Sequence, residues 1–400
     1  MITNYDNVSP ITASLTEGTH VNIDSNQSSA FGEVLTVEPT PILQYLFTYG
    51  LNSEVWTTTT TNSAGGTVIT SSLLKIFTGA TANSESKVES KIAIKYNAGQ
   101  GSKARFTAMW ENQGVGSKTD IGLGDISNGF FVAVSNNIFG VLRRDASNNY
   151  FTPQTSFTED QLDGSGASGM VLDTTKLNVF EIKMQYLGAG EVAYGIENPA
   201  TGKFFYFHKE KYANSHTRLT IEQPSLPLHF HVTNTTGTKN ASLYTGSVGG
   251  FSEGKNAEIG LTFATAKQKT ITTESPVLNL KVLPTYNGIS NKIRIKVTSI
   301  GFATDGSKTV DFKIYKNVIL GGSPVFVNVS TANSIVAIDT AGTLTSGTLC
   351  AAMALGKIAQ DHLHQSDVEL YVQPGETLTI TATSGGGSDV DVTLIWKELF

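Results

Sequence analysis

The chain has one cysteine, Cys350, in 400 residues. No intrachain disulfide can staple it, so the fold has to rest on buried apolar surface, as in a reducing compartment or in a sandwich large enough to need no cross-links. No window reaches the ~18 consecutive apolar residues of a membrane-spanning helix. The opening MITNYDNVSP lacks a basic stretch followed by an apolar one, so no secretory leader is expected there. Only 16% of residues are charged, and the 28 Lys and Arg are outnumbered by 34 Asp and Glu, for a net charge of −6. Without clustered cations there is little to hold a phosphate backbone, which argues against a nucleic-acid partner. No membrane partner is expected either.

What is abundant is Thr, Ser, Asn and Gly, which suit strands and tight turns and are poor helix formers. The length exceeds the ~100–200 residues of one ordinary domain. Residues 1–30 are too poor in apolar side chains for a core and read as an extended N-terminal arm. From 31 to 255 the apolar pattern has period two: in FEIKMQYLG, Ile182, Met184 and Tyr186 share one face and Glu181, Lys183 and Gln185 the other. The stretch ENPATGKFFYF reads as a hairpin, with Asn198-Pro199 starting the turn and Gly202 ending it. On the returning strand, Phe204, Tyr206 and His208 are expected on one side and Phe205 and Phe207 on the other. Residues 256–275 thin out in large apolar side chains and read as a linker with room for one strand through Ile259, Leu261 and Phe263. Period two resumes over 276–400, giving a second, smaller sandwich. TLCAAMALGKIAQDHL is ambiguous, since its Ala, Leu and Met content permits a short helix that Gly356 would interrupt. The expected fold class is therefore all-β, two antiparallel sandwiches preceded by an arm. No period of 20 to 50 residues repeats, which argues against a solenoid or propeller.

Four of the seven histidines lie between 208 and 231, and PLHFHV places His229 and His231 on one strand face. A metal centre needs three or four converging ligands at ~2 Å. No Asp or Glu lies in that strand, and a third ligand would have to come from His208 or His216 with no spacing to recommend them. The expectation is a partly exposed strand pair without a metal, which could make subunit contacts sensitive to pH between about 5 and 7 if the rings faced another chain.

Other motifs are weaker. LGAGEVAYG has its third glycine, Gly195, misplaced for a dinucleotide loop and reads as a hairpin turn. DGSGASGMVLD offers only Asp163 and Ser165 of a calcium loop's ligand positions and reads as a surface loop. Glu181, Glu191, Glu197, Asp163 and Asp173 form no dense acidic motif of the kind glycosidases carry, and no nucleophile elbow surrounds any serine. The aromatics Trp56, Trp110, Tyr96, Tyr186, Tyr194 and Phe204 to Phe207 fit a core or interface better than a sugar-stacking face. No catalytic, cofactor-binding or metal-ligating residue is assigned, and no enzymatic activity is expected.

Longer stretches carry a resemblance. SSAFGEVLTVEPTPILQYLFTYGLN (28–52), YNAGQGSKARFTAMW (96–110), NGFFVAVSNNIFGVLRR (128–144), the run from Leu162 to Asn214 and PSLPLHFHVTNTTGT (224–238) follow one another as in a family of structural proteins of tailed phages and large DNA viruses. In the C-terminal half NGISNKIRIKV, DGSKTVDFKIYKN, VQPGETLTITATS and the ending IWKELF are similar too. The resemblance covers roughly 28–400. It implies a virion surface or appendage protein (fibre, spike, tail or capsid-associated), assembled in the host cytoplasm, whose first domain is a concanavalin-like or jelly-roll sandwich. Its implied partners are other virion proteins and copies of itself, a trimer being one option. The alternative reading is an adhesin whose loops grip a host surface glycan.

Overall fold

The computed structural model describes residues 39–400 apart from 63–64, 255–258, 307 and 367. The expected N-terminal arm, 1–30, lies outside the described residues. All strand pairings described are antiparallel, and the helical content is confined to the single 3-10 turns Phe47–Tyr49 and Gln154–Ser156.

Two sheets form the first sandwich. One has seven strands in the order Asn148–Pro153, Ile138–Asp145, Gly129–Ser135, Ser117–Gly124, Leu226–Asn234, Ser84–Ile94, Trp56–Thr61. The facing sheet has nine strands and runs from the edge strand Lys203–Glu210 through Val192–Asn198, Asn178–Met184 and Ser102–Glu111 to Ser242–Thr245, Leu73–Phe77 and Gly66–Thr70. Thr40–Leu46 and Ser247–Ser252 complete it, the latter paired with Ser102–Glu111. Strand alternation explains the core: Leu228, Phe230 and Val232 point inward from one strand and meet Phe106, Trp110, Phe180 and Ile182 from the other sheet's strands. Trp56, Trp110, Tyr194 and Phe207 are buried here as expected for core aromatics.

The hairpins fall where turn chemistry puts them. Asn198 Oδ1 accepts from the Ala200 amide, and Gly202 has φ +66°, a conformation glycine adopts without strain. LGAGEVAYG is indeed a turn, joining Asn178–Met184 to Val192–Asn198. Strict alternation fails along the returning strand. The register steps from Tyr194↔His208 to Gly195↔Tyr206, a bulge that leaves Phe207 without a ladder partner. His208 therefore turns into the aromatic cluster, with Phe157 5.4 Å and Tyr194 5.8 Å from its ring, instead of following Tyr206.

The second pair of sheets begins inside the segment expected to be a linker. Leu261–Ile271 is an eleven-residue strand along Ser388–Glu398, the one strand for which the linker reading of 256–275 left room, longer than expected and without Ile259, with 255–258 outside the described residues. Its inner face, Phe263, Thr265, Lys267, Lys269 and Ile271, is half buried apart from the buried Ile271 and includes two lysines, while Ala264 and Ala266 are exposed, which thins the apolar signal without abolishing the strand. Ile295–Thr304 and Ala359–His364 extend this sheet, and Tyr371–Val372 pairs at its margin. The opposing sheet runs Val327–Asn328, Val336–Asp339, Ser275–Val282, Thr377–Ser384, Val310–Gly321, Thr343–Leu355. Thr343–Leu355 settles the ambiguous stretch as strand: ten of its thirteen residues pair along Val310–Gly321, and the helix that their composition permits does not form. Trp396, Phe312, Phe302, Leu280 and Ile380 fill this second core.

The two sandwiches meet through polar contacts. Lys292 Nζ lies 2.8 Å from Asp125 Oδ2, Lys91 Nζ 3.4 Å from Glu376 Oε1, and Asn317 donates to Glu54 Oε2 at 2.7 Å.

Candidate functional site

On the central strand of the seven-stranded sheet the outward residues are His229, His231 and Thr233, because Leu228, Phe230 and Val232 face the core. The register sets Glu89 opposite His229 and Lys87 opposite His231 on one side, and Asp120 opposite His231 on the other. Cross-strand neighbours of this kind lie ~5 Å apart at Cβ, so the sheet alone assembles a charged cluster.

The expectation of a partly exposed histidine pair does not hold. His229 is fully buried, and His231 is largely so, with a side chain 13% exposed. Phe131, itself buried, lies 5.4 Å from the His229 ring, and the Arg144 guanidinium stacks 4.7 Å over Phe131. His229 Nδ1 is 3.1 Å from Glu89 Oε2, and His231 Nε2 is 3.0 Å from Glu85 Oε1. Their other ring nitrogens look toward Asp120: His229 Nε2 at 3.4 Å from Oδ1 and His231 Nδ1 at 3.4 Å from Oδ2. Arg144 Nη2 holds Asp120 Oδ2 at 3.1 Å.

These contacts decide the charges. Burial opposes ionisation of Asp120, but the Arg144 guanidinium and the imidazole contacts outweigh it and hold the carboxyl well below its usual range. Burial likewise opposes a charged His231, yet hydrogen bonds to Asp120 and Glu85 and their negative charges push it up to about 9. The ring is engaged within its own chain, by Asp120 and Glu85, and these contacts move its titration upward, away from the pH 5 to 7 window expected of a free imidazole. Glu85 is lowered by its bond to His231, and Glu89 is lowered, against the cost of burial, by its bond to His229.

Sequence spacing singled out the two histidines but not their companion. His208 and His216, the only third ligands considered, are elsewhere: Thr158 N donates to His208 Nδ1, and His216 stacks on Tyr212 with ring centroids 4.0 Å apart. The missing acid is Asp120, 111 residues from His231 in sequence.

A second feature lies along the edge strand Lys203–Glu210. A groove of ≈ 440 Å³ runs beside it, lined by Asn198, Lys203, Phe204, Tyr206 and Lys209 and by the loop carrying Ser168. Arg105 sits 5.7 Å from the Phe204 ring centre. Tyr206 donates to Glu181 Oε1 at 2.9 Å, and Arg105 Nε donates to Glu181 Oε2 at 2.5 Å. Burial and the Glu181 charge keep the Tyr206 phenol protonated, its pKa raised far above the usual value. Asp160, at the groove's floor, accepts from the amides of Leu162 and Ser168. The DGSGASGMVLD loop is held the same way, with Asp163 Oδ1 accepting from Ser165 N and Oγ. Its acidic groups thus serve the loop's own backbone. Among the described residues no helix is long and apolar enough to cross a membrane.

No protein-family model and no curated protein matches the chain. Solved structures do resemble it over about half its length. A β-1,3-glucanase from Mycobacterium marinum is 12% identical, with a TM-score of 0.36, covering 54% of this chain and all of that one. The lectin UEA-II in complex with galactose is 9% identical, with a TM-score of 0.35 over 54% of this chain and 100% of that one. The exoplasmic domain of VIP36, bound to Ca2+ and Man3GlcNAc, is 8% identical, with a TM-score of 0.33 over 54% and 90%. Identity and score at this level are reported as likeness of fold and carry no assignment of activity.

Proposed function

We propose that the chain is a non-enzymatic glycan-binding protein whose first sandwich takes a sugar in the groove beside Lys203–Glu210. The observation that supports this reading is the lining itself: two aromatic rings, Phe204 and Tyr206, next to the amide of Asn198 and the ammonium groups of Lys203 and Lys209. A pyranose presents apolar C–H faces and a rim of hydroxyls, and such a lining offers a partner to each. Glycoside cleavage needs two available carboxyls about 5 to 10 Å apart. Asp160 and Glu181 are both committed, to backbone amides and to Arg105 and Tyr206 respectively, which leaves the exposed Glu159 of the lining without a second available carboxyl and supports binding without turnover.

The test is a glycan array with purified protein, followed by titration of the best binder against Phe204→Ala. Ring-specific micromolar binding that weakens at least tenfold in the variant supports the reading. Silence across host polysaccharides, or steady shortening of a polysaccharide with time, would refute it.

A second reading is favoured by the resemblance of residues 28–400 to virion structural proteins, with assembly through the arm and the sandwich faces. Open edges fit that reading. Thr343–Leu355 is the last strand of its sheet and is mostly exposed, Leu349 among its exposed residues. A low-resolution map of an intact particle, with or without density for this chain at its surface, decides between placing it in a virion and discarding that placement.

A further inference from the structure

We propose that Asp120, His229 and His231 bind one divalent first-row transition-metal ion, zinc by its donor set, on the outer face of the seven-stranded sheet. One ligand atom from each residue can be chosen so that all lie within 4.8 Å of one another. Two of the atoms concerned are orphans. Asp120 Oδ1 and His229 Nε2 are sealed from solvent and make no hydrogen bond, although their side chains are only 4% and 0% exposed. Burying such groups unpaired forfeits their hydration with nothing in return, and natural folds rarely do it without a reason.

The tautomers sharpen the point. Glu89 accepts from His229 Nδ1 and Glu85 from His231 Nε2, which fixes the ring protons on those atoms when the imidazoles are neutral. The lone pair of His229 Nε2 then points at Asp120 Oδ1, lone pair against lone pair, while at His231 Nδ1 the ion would take the place of the proton that otherwise bridges to Asp120 Oδ2. A cation between them turns that repulsion into coordination. Two ligands at ~2.05 Å from a tetrahedral zinc stand about 3.3 Å apart; His229 Nε2 stands 3.4 Å from Asp120 Oδ1, and His231 Nδ1 stands 3.4 Å from the other oxygen, Oδ2. The carboxylates behind each ring are the outer partners that orient metal-ligating histidines and raise their basicity. Arg144 occupies Asp120 Oδ2 and leaves Oδ1 for the ion.

Charge and donor type agree. The ion has to displace the proton that His231 holds between Asp120 and Glu85; once both rings are neutral the cluster sets Asp120, Glu85 and Glu89 against Arg144 and Lys87, so a dication is not repelled. Two imidazoles and one carboxylate suit zinc and its neighbours and not calcium or magnesium, which take oxygen ligands. The rival occupant is a proton on His229 Nε2, which would satisfy the same pair of atoms.

The experiment uses the full chain, stripped with EDTA and titrated with zinc chloride by calorimetry at neutral pH. We expect one equivalent bound per chain. His231→Gln and the outer-partner variant Glu89→Gln should each weaken binding about 10- to 100-fold while leaving the circular dichroism of the fold intact. The exposed pair His362 and His364 on another strand is the control, and His362→Ala/His364→Ala should bind as the wild type does. Absence of saturable binding by the wild-type chain would overturn the proposal and leave the proton as occupant. So would zinc binding that survives both His231→Gln and Glu89→Gln, or that disappears in the His362/His364 variant. The wild-type titration needs no substitution, so a variant that fails to fold does not shield the proposal.

Discussion

Arg144 stacks its guanidinium over Phe131 and closes on Asp120 Oδ2 at 3.1 Å, with both side chains all but removed from water. The carboxylate is the hub of the cluster on this sheet face, and the guanidinium, which also donates to the Asp125 carbonyl and to Asn149, is what makes it tolerable there. A buried pair of this kind is worth little against an apolar replacement of both partners, yet breaking one side of it is expensive.

Arg144→Met should accordingly destabilise the first sandwich by about 3–5 kcal/mol. The double variant Asp120→Leu/Arg144→Met should recover a large part of that loss. Urea unfolding of the three proteins measures both, and a double variant no more stable than the single one would show that the guanidinium's backbone contacts, not the unpaired charge, dominate.

His208 gives an acid limb to the stability curve. Burial among Phe157 and Tyr194 lowers it, against a small opposing pull from Glu159, to about 4. Because the folded value lies below the unfolded one near 6.5, the folded chain resists protonation. The stability is present in full above about pH 6.5 and is lost as pH falls from there to about 4, by roughly 3 kcal/mol in all. His208→Gln should flatten that limb between pH 6.5 and 4, as followed by thermal melts across the range. An equal slope in the variant would assign the limb to other groups.

The second core can be tested at Phe312, which is buried and packs 4.8 Å from the Phe302 ring. Phe312→Ala should cost about 3–5 kcal/mol. The near-ultraviolet signal of Trp56 and Trp110, in the other core, should persist to higher urea than that of Trp396. Coincident loss of both would mean that the sandwiches unfold as one unit.

The polar seam between the sandwiches should be weak. In Lys292–Asp125 and Lys91–Glu376 the carboxylates are buried, but each keeps other partners, the Ser127 and Asn128 amides for Asp125 and Lys316 for Glu376, so losing the lysine should cost about 1–2 kcal/mol each. Lys91→Ala/Lys292→Ala should leave the melting temperature within a few degrees while raising the radius of gyration in small-angle scattering. An unchanged radius would assign the seam to its remaining contacts, such as Asn317 with Glu54.

Strand type and turn position were legible because they are local: period two through Ile182 and Met184, and Asn198-Pro199 with Gly202, act over a few residues. The segment Leu261–Ile271 was under-read because its inner face is only half buried and, between Phe263 and Ile271, carries Thr265, Lys267 and Lys269 in place of apolar side chains. Thr343–Leu355 was ambiguous because its helix-permitting composition is overridden by pairing along Val310–Gly321. The histidine cluster was half legible. His229 and His231 announce a shared face, but Asp120, Glu85 and Glu89 reach them only through strand register, which a linear pattern does not contain. At the groove, alternation alone placed Phe204 and Tyr206 on one face, and what it missed is the bulge at Phe207, which turns His208 away from them into the core.

The strand Leu226–Asn234 sits between Ser117–Gly124 and Ser84–Ile94, its partners lying more than a hundred residues earlier in the chain. During synthesis, then, the middle of the seven-stranded sheet stands open with two unpaired strand edges until residue 234 has left the ribosome. At 5–20 residues per second that interval is on the order of five to thirty seconds. A newly made chain has to survive it with apolar strand faces uncovered, and such distant pairing is intrinsically slow. The yield of soluble protein should therefore depend on translation rate and chaperone supply more than on the stability of the finished sandwich.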